Sequence, residues 1–411
     1  MSLTPLPDRF AQAMGAALGP DFPDRLGLAV SGGGDSMAML HLCAAWARVW
    51  GVGLSVVTVN HGLRAESAAE AALVADEAAG LGLEHATLDW RWDGQGNLAD
   101  AARQGRRAVI GEWARGRTVL MAHTRDDQAE TLLMRLARGS GVDGLAAMAP
   151  LTPVGDWRIL RPLLDVTRAE LRHYLTTLRI PYVDDPSNAD EASARVRMRG
   201  LIGREGLSTE RLATTAAAMA RASEALEARA RDVARLLQRP VSDGCLAFDR
   251  DGLAAVEAET RLRLLATAIR LVGGGDYPPR LRTLEDLADR VISGGAATLQ
   301  GTLVVPDGDR LTVAREPGAV AGLVSGAGGP WDGRWASDLR DPGAELRALG
   351  EAGLAQVPVR PVDAAPRACL PGLPALWSAD RLIACPALKF GPPAGLRDLR
   401  RGTFPRDLGL H

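Results

Sequence analysis

Three consecutive glycines, Gly32, Gly33 and Gly34, stand between Ser31 and the pair Asp35 and Ser36, directly after the apolar run 26–30. Glycine lets the backbone reach positive φ and lets main-chain N–H groups approach a ligand that a Cβ would block. Those amides, with the positive end of a following helix, suit a phosphate. Ser31 and Ser36 add hydroxyl donors. Asp35 cannot bind phosphate directly, so its presence implies a bridging hard cation, Mg2+, which takes carboxylate and phosphate oxygens together. A Walker A loop needs a lysine that this stretch lacks, and a dinucleotide fingerprint needs glycine where Met37 stands. A ligand-free strand-to-helix turn would explain the glycines but not the two serines and the acid.

A second chemistry-bearing stretch is "MAHTRDDQAETLLMRLARGSGVDGLAAM", 121–148. In a helix starting near Thr124, Asp127, Glu130 and Thr131 fall at i, i+3 and i+4 on one face. Leu132, Leu133 and Leu136 then lie on the other side and are expected to pack on a sheet. Acids in a first turn are favoured by the helix dipole alone, but here they follow His123 at the end of an apolar strand. His61 ends another such strand. Both histidines read either as core residues bonded to backbone or as ligand contacts. Arg103, Arg106 and Arg107 form a basic stripe, which means either a solvated face or phosphate contact.

The elements that must position these groups alternate. Strands are expected at 26–30, 54–59, 85–90, 118–123 and 157–164, with helices after each of the first four, at 35–47, 66–80, 97–116 and 126–139. That order predicts an α/β fold with a doubly wound parallel sheet and ligands at the carboxyl ends of the strands. The glycine loop, His61 and His123 all sit at such ends. Thr167 and Glu170 have capping-box spacing and open a further helix. The first domain is expected over 1–204. A mainly helical domain follows over 205–316, with helix to about 293 and a hairpin around the P-D-G-D turn at 306–309. Residues 317–330 read as a linker and 331–411 as a small β-containing domain.

Composition narrows the classes. The 411 residues suffice for two or three cores. Cys43, Cys245, Cys369 and Cys385 stand singly without C-x-x-C, which indicates neither a metal knuckle nor a disulfide framework. No apolar stretch approaches a membrane span, so a cytoplasmic protein without membrane contact is expected. The net charge of −2 means that any nucleic-acid binding must come from a local basic face. Lys389 is the one lysine, so arginine number by itself says little.

With "SGGGDS", "VNHGLR", "AHTRDDQAETLLMRLARGSGVDGL", "RPLL" and "DDPSN" in this order, the first two hundred residues resemble the PP-loop, or N-type, ATP pyrophosphatases, and within them the tRNA(Ile)-lysidine synthetase family. "GAATLQGTLVV" resembles that family's second domain more loosely. The resemblance implies that the pyrophosphate of ATP sits on Ser31, Gly32, Gly33, Gly34, Asp35 and Ser36, with His61 and His123 also on the nucleotide and Asp35 on Mg2+. It implies cleavage between the α- and β-phosphates and transfer of free L-lysine to the wobble cytidine of a CAU-anticodon isoleucine tRNA. Asp35, Asp127 and Glu130 become the catalytic candidates, and Arg103, Arg106, Arg195 and Arg199 the tRNA contacts. This chain departs from the family in two places. Thr124 stands where a second histidine is usual, and Val196 replaces asparagine in the usual R-N-x-x-R. The residues leave the oligomeric state open between monomer and homodimer.

Three other readings are consistent with the glycine loop. A PP-loop tRNA thiolase would need catalytic cysteines or a cluster. A non-catalytic nucleotide-binding module would not need the acid. An amidotransferase would need a glutaminase domain or an N-terminal cysteine.

Overall fold

The computed structural model describes residues 4–61, 67–96, 98–184, 194–275, 277–326, 329–338, 343–393, 395–399 and 404. Residues 62–64 of "VNHGLR" and 185–188 of "DDPSN" lie outside the described residues. The chain divides into two compact units, Met1–Ala222 and Ser223–His411.

In the first unit the elements run α1 (Leu6–Leu18), β1 (Arg25–Ala29), α2 (Gly34–Trp50), β2 (Gly53–Asn60), α3 (Ser67–Gly80), β3 (Glu84–Asp89), α4 (Leu98–Ala114), β4 (Thr118–Met121), α5 (Arg125–Leu136), α6 (Val142–Leu145), β5 (Leu151–Val154), β6 (Trp157–Leu160), α7 (Arg168–Leu178) and α8 (Ala194–Arg204), and α9 (Thr209–Leu237) begins in this unit and ends in the second. The strands form one sheet in the order β3-β2-β1-β4-β6-β5. All pairs are parallel except β5 with β6. The expected doubly wound parallel sheet is therefore present, with one antiparallel edge strand added. That strand comes from a two-residue turn, Gly155 and Asp156, between Val154 and Trp157, with Gly155 at φ 58°. Pro153 sits on the edge strand, where its missing N–H leaves no central ladder bond unmade.

Alternation along the strands explains the double winding. Leu26 and Leu28 of β1, Val56 of β2, Leu120 of β4 and Leu160 of β6 join one core with Met37, Leu40 and Cys43 of α2 and Leu171 and Leu175 of α7. Val119 and Ile159, one residue out of phase, join a second core with Ile110 and Ala114 of α4. Both faces of the sheet are thus covered by helices. Gly27 faces the α4 side, where an added Cβ would lie 2.6 Å from Trp113 Cζ3. Gly27→Ala is accordingly expected to lower stability by about 1–3 kcal/mol. A thermal-unfolding midpoint unchanged from wild type would contradict that packing.

The sequence order reverses at β1, with β2 on one side and β4 on the other. Such a switch point opens a crevice at the carboxyl ends of the strands. The loop after β1 is the glycine run, and the loop after β4 carries His123.

The second unit begins with β7 (Gln238–Arg239) and β8 (Leu246–Asp249), continues through α10 (Arg250–Ala255), α11 (Ala258–Gly273) and α12 (Leu281–Ile292), and adds β9 (Ala297–Leu299), β10 (Thr302–Asp307) and β11 (Arg310–Arg315). The expected hairpin is there. Asp307 pairs with Arg310 around Gly308 and Asp309, with Gly308 at φ 61°. The expectation of a long helical segment over 208–238 followed by more helix to about 293 is corrected at β8, which interrupts it. Its run Leu246, Ala247 and Phe248 follows the turn formers Ser242, Asp243 and Gly244, and Asp249 then caps α10 by accepting from Gly252 N at 2.6 Å. The linker expected over 317–330 instead holds α13 (Pro317–Val320) and β12 (Val324–Gly326). Val320 is fully buried in a core with Trp331, Leu346 and Leu376, which a linker would not supply.

Candidate active site

Three helices present their N-termini at this site, and two of them are capped. Thr124 caps α5 and Thr167 caps α7, each in a reciprocal box with Asp127 or Glu170 three residues on. Helix α2 has Gly33 at its cap position and no side-chain cap. The first amides of a helix have no partner within it, and at Gly34, Asp35 and Ser36 no side chain caps them. The loop leading to them is held from inside. Ser36 Oγ accepts from Ser31 N at 3.1 Å and donates to the Gly33 carbonyl at 2.8 Å, and Gly32 takes φ 85°. Val183 N donates to the Gly32 carbonyl at 2.9 Å, which anchors the loop from the segment after α7.

Beside the loop, three carboxylates converge on a single guanidinium. Arg168, the first residue of α7, places Nη2 2.5 Å from Asp127 Oδ1, Nη1 2.7 Å from Glu130 Oε1 and Nε 3.4 Å from Asp35 Oδ2. Arg199 Nε adds a second cation at 2.9 Å from Glu130 Oε1. Asp127 Oδ2 accepts from Thr124 N at 2.8 Å and from Thr124 Oγ1 at 2.9 Å, so this acid is both cap and ion-pair partner. Asp126 reaches back to accept from Arg168 N at 2.9 Å.

Burial decides the protonation of these groups. Desolvation pushes the Asp35 carboxyl up to about 6; Arg168 opposes this and the negative charge of Asp127 adds to it. For Asp127 burial also acts upward, but Arg168 and the Thr124 N–H outweigh it and hold the acid below its ordinary value. Arg168 is held above its ordinary value: burial works against its charge, and the three acids more than offset it. His123 is lowered to about 4 by burial, with Asp127 opposing and Arg161, Arg195 and Arg103 assisting. His61 is likewise lowered to about 4, by burial and by Arg106. Both rings are neutral near pH 7, and the Nδ1 of each is buried without a partner among the described residues.

The structure thus brings together Asp35, Asp127, Glu130 and Arg199, and sets His123 within the field of Asp127, Arg195 and Arg103. His61 and Arg106 form a separate pair, Nε2 to Nη2 3.2 Å, with His61 edge-on to Trp90. One expectation about α5 needs correction. Its buried side carries Asp127, Ala129, Glu130 and Leu132, while Leu136 is exposed. Leu132 packs against Ala147 and Ala216, residues outside the sheet strands.

A model of the PP-loop domain matches residues 6–205. A tRNA(Ile)-lysidine synthase of Ruegeria pomeroyi is 45% identical over 374 residues, covering 89% of this chain and 88% of that protein. One of Bradyrhizobium diazoefficiens is 41% identical over 322 residues, covering 71% of this chain and 89% of that protein. The chain belongs to the tRNA(Ile)-lysidine synthase family. Among solved structures, a U34-tRNA thiolase of Methanococcus maripaludis with its [4Fe-4S] cluster is similar at 16% identity and a TM-score of 0.43, over 51% of this chain and 76% of that one.

In this tRNA(Ile)-lysidine synthase family member, Arg168 is the residue at the centre of the cluster that sequence reasoning passed over. Its one sequence signal was its place directly after the Thr167 cap, which any helix-forming residue could fill. Asp35 and Arg168 are 133 positions apart, so no local pattern links them.

Proposed function

We propose that the chain ligates L-lysine to C2 of the wobble cytidine in a CAU-anticodon isoleucine tRNA, using ATP and releasing AMP and pyrophosphate. Family membership supports this reading, and the uncapped helix beside a cluster of three carboxylates carries it. The amides of Gly32, Gly33 and Gly34 and the dipole of α2 receive the pyrophosphate, and Ser31 adds its hydroxyl. Ser36, whose hydroxyl is engaged with the Gly33 carbonyl, keeps the loop in shape and offers its amide. The neutral rings of His61 and His123 face the nucleotide without adding charge.

The residues fit a hard cation. Two guanidiniums contact three carboxylates, and the carboxylate of Asp35 is destabilised as an anion until a cation joins it. Mg2+ is ordinarily held by one or two carboxylates together with substrate phosphates, and Asp35 is the residue that would hold it. When bound, the ion would stabilise charge on the departing pyrophosphate.

The reaction then has two parts. O2 of the cytidine displaces pyrophosphate from the α-phosphate, and the ε-amine of lysine attacks C2, with AMP leaving and one proton lost. The acids Asp127 and Glu130 attract the ammonium form of the substrate, and a carboxylate of the cluster takes the proton. Glu130 keeps one oxygen, Oε2, buried and without a hydrogen-bond partner among the described residues. Arg103, Arg106, Arg195 and Arg199 supply positive charge for the anticodon loop. Regions 205–316 and 331–411 hold the rest of the tRNA in a cytoplasmic enzyme. Among the described residues no helix is long and apolar enough to cross a membrane.

The thiolase alternative gains nothing from the cysteines. All four are buried free thiols, and burial pushes each above its ordinary range, away from a reactive thiolate. Pyrophosphate release from ATP is expected to require the CAU tRNA and to survive treatment of the native protein with iodoacetamide. Release without tRNA, or loss of it on thiol alkylation, would contradict the ligase reading.

A further inference from the structure

Arg161 follows directly on β6, and the register of Leu120 with Leu160 places it beside the carboxyl end of β4, the strand that leads to His123. It is only 6% exposed, yet among the described residues it meets no carboxylate. Its Nη1 donates to the Ala149 carbonyl and to Thr152 Oγ1, both at 2.7 Å. Its Nε is buried without a partner among the described residues. Its Nη2 has no hydrogen bond among the described residues.

The neighbourhood is built the same way. Arg135 Nη1 donates to the carbonyls of Gly144 and Ala147, at 2.8 and 2.7 Å, and not to an acid. Gln128 clasps Met148 through both its amide atoms at 2.8 Å. Pinning the 144–152 segment therefore does not require charge, since a neutral glutamine does it on the same segment. The charges that act most on Arg161 are those of Arg107, Arg103 and Arg135, all cations, and with burial they lower its pKa to about 10. A buried cation among cations is unfavourable until an anion joins it. The guanidinium is also fixed in advance, so a ligand need not order it. Four guanidiniums exceed what one amino-acid carboxylate would call for and suit a polyanion. The field at His123 comes from Asp127 on the one hand and Arg161 on the other, so this basic group adjoins the acidic cluster.

We propose that Arg161, with Arg103, Arg107 and Arg135, forms a phosphodiester site that grips the RNA backbone beside the nucleotide being modified. The inference rests on the tRNA-ligase reading above. Its test is tRNA binding by wild type, Arg161→Gln and Arg107→Gln across a salt series, with KM for tRNA, lysine and ATP. Glutamine can keep the bonds to Ala149 and Thr152 while removing the charge. Each variant is expected to bind about tenfold more weakly, with a log–log salt slope smaller by about 1, and with KM for lysine and ATP unchanged. A raised KM for lysine with an unchanged salt slope would make Arg161 a carboxylate holder and overturn the proposal. Unchanged affinity and slope in both variants, with only a lower melting temperature for Arg161→Gln, would make it a structural staple and overturn it too. Should Arg161→Gln fail to fold, Arg107→Gln on α4 decides by the same two readings. Wild-type protein that binds no tRNA would instead overturn the ligase reading itself.

Discussion

Asp35→Asn is expected to reduce tRNA-dependent pyrophosphate release by about 10²–10³-fold, the scale of losing one electrostatic stabiliser of a charged transition state. The same substitution is expected to make the ligand-free protein more stable. The native carboxyl is raised from 3.8 to about 6. Between those values the folded state binds more protons than the unfolded one, so this group's contribution falls as pH rises from about 4 to about 6, and its full penalty persists above. Two units at about 1.4 kcal/mol each, discounted because the side chain is 29% exposed, leave about 1–2 kcal/mol at pH 7. Thermal unfolding should show a midpoint a few degrees higher for Asp35→Asn at pH 7 and no difference below pH 4. A variant that stays active would remove Asp35 from the chemistry. One that is less stable at pH 7 would show that the acidic cluster is not strained in the absence of ligand.

Arg168→Met has the largest expected effect on stability. Removing the central cation leaves, among the hydrogen bonds of the described residues, those of Thr124 to Asp127 and of Arg199 to Glu130, and breaking a buried pair in this way costs about 3–5 kcal/mol. Losing Arg168 removes the main charge that holds the Asp127 carboxyl below its ordinary value, so the native pKa of Asp127 rises. The deficit relative to wild type should therefore be largest at pH 7 and shrink as pH falls towards 5. Glu130→Gln in the same chain should cost less than the two single costs added, because the shared charge has already lost its partner. Urea unfolding measures all of this. Additive costs, or a deficit that is the same at both pH values, would contradict an acid cluster organised by Arg168.

What the sequence disclosed and what it withheld follow the range of the interactions. The glycine loop, the Thr124 and Thr167 caps and the hairpin at Gly308 are local, with partners within a few positions, and their residue types state the geometry. The doubly wound parallel sheet was legible because strands and helices alternate. The carboxylates were legible as one face of α5. Their common partner was not, since Arg168 lies 41 and 38 positions from Asp127 and Glu130 in a chain with many arginines. Arg161 was hidden for a related reason: its meaning lies in the acid it lacks, which only burial reveals. The strand at Leu246 was masked by flanking helical sequence, and only its turn formers, Ser242, Asp243 and Gly244, marked it.

The most direct test of the central claim is incorporation of radiolabelled lysine into an isoleucine tRNA transcript with a CAU anticodon, in the presence of ATP and Mg2+, beside a transcript whose wobble cytidine is uridine. Label in the first and none in the second is the expected result. Pyrophosphate released with no label in either transcript would contradict lysine transfer to the wobble base.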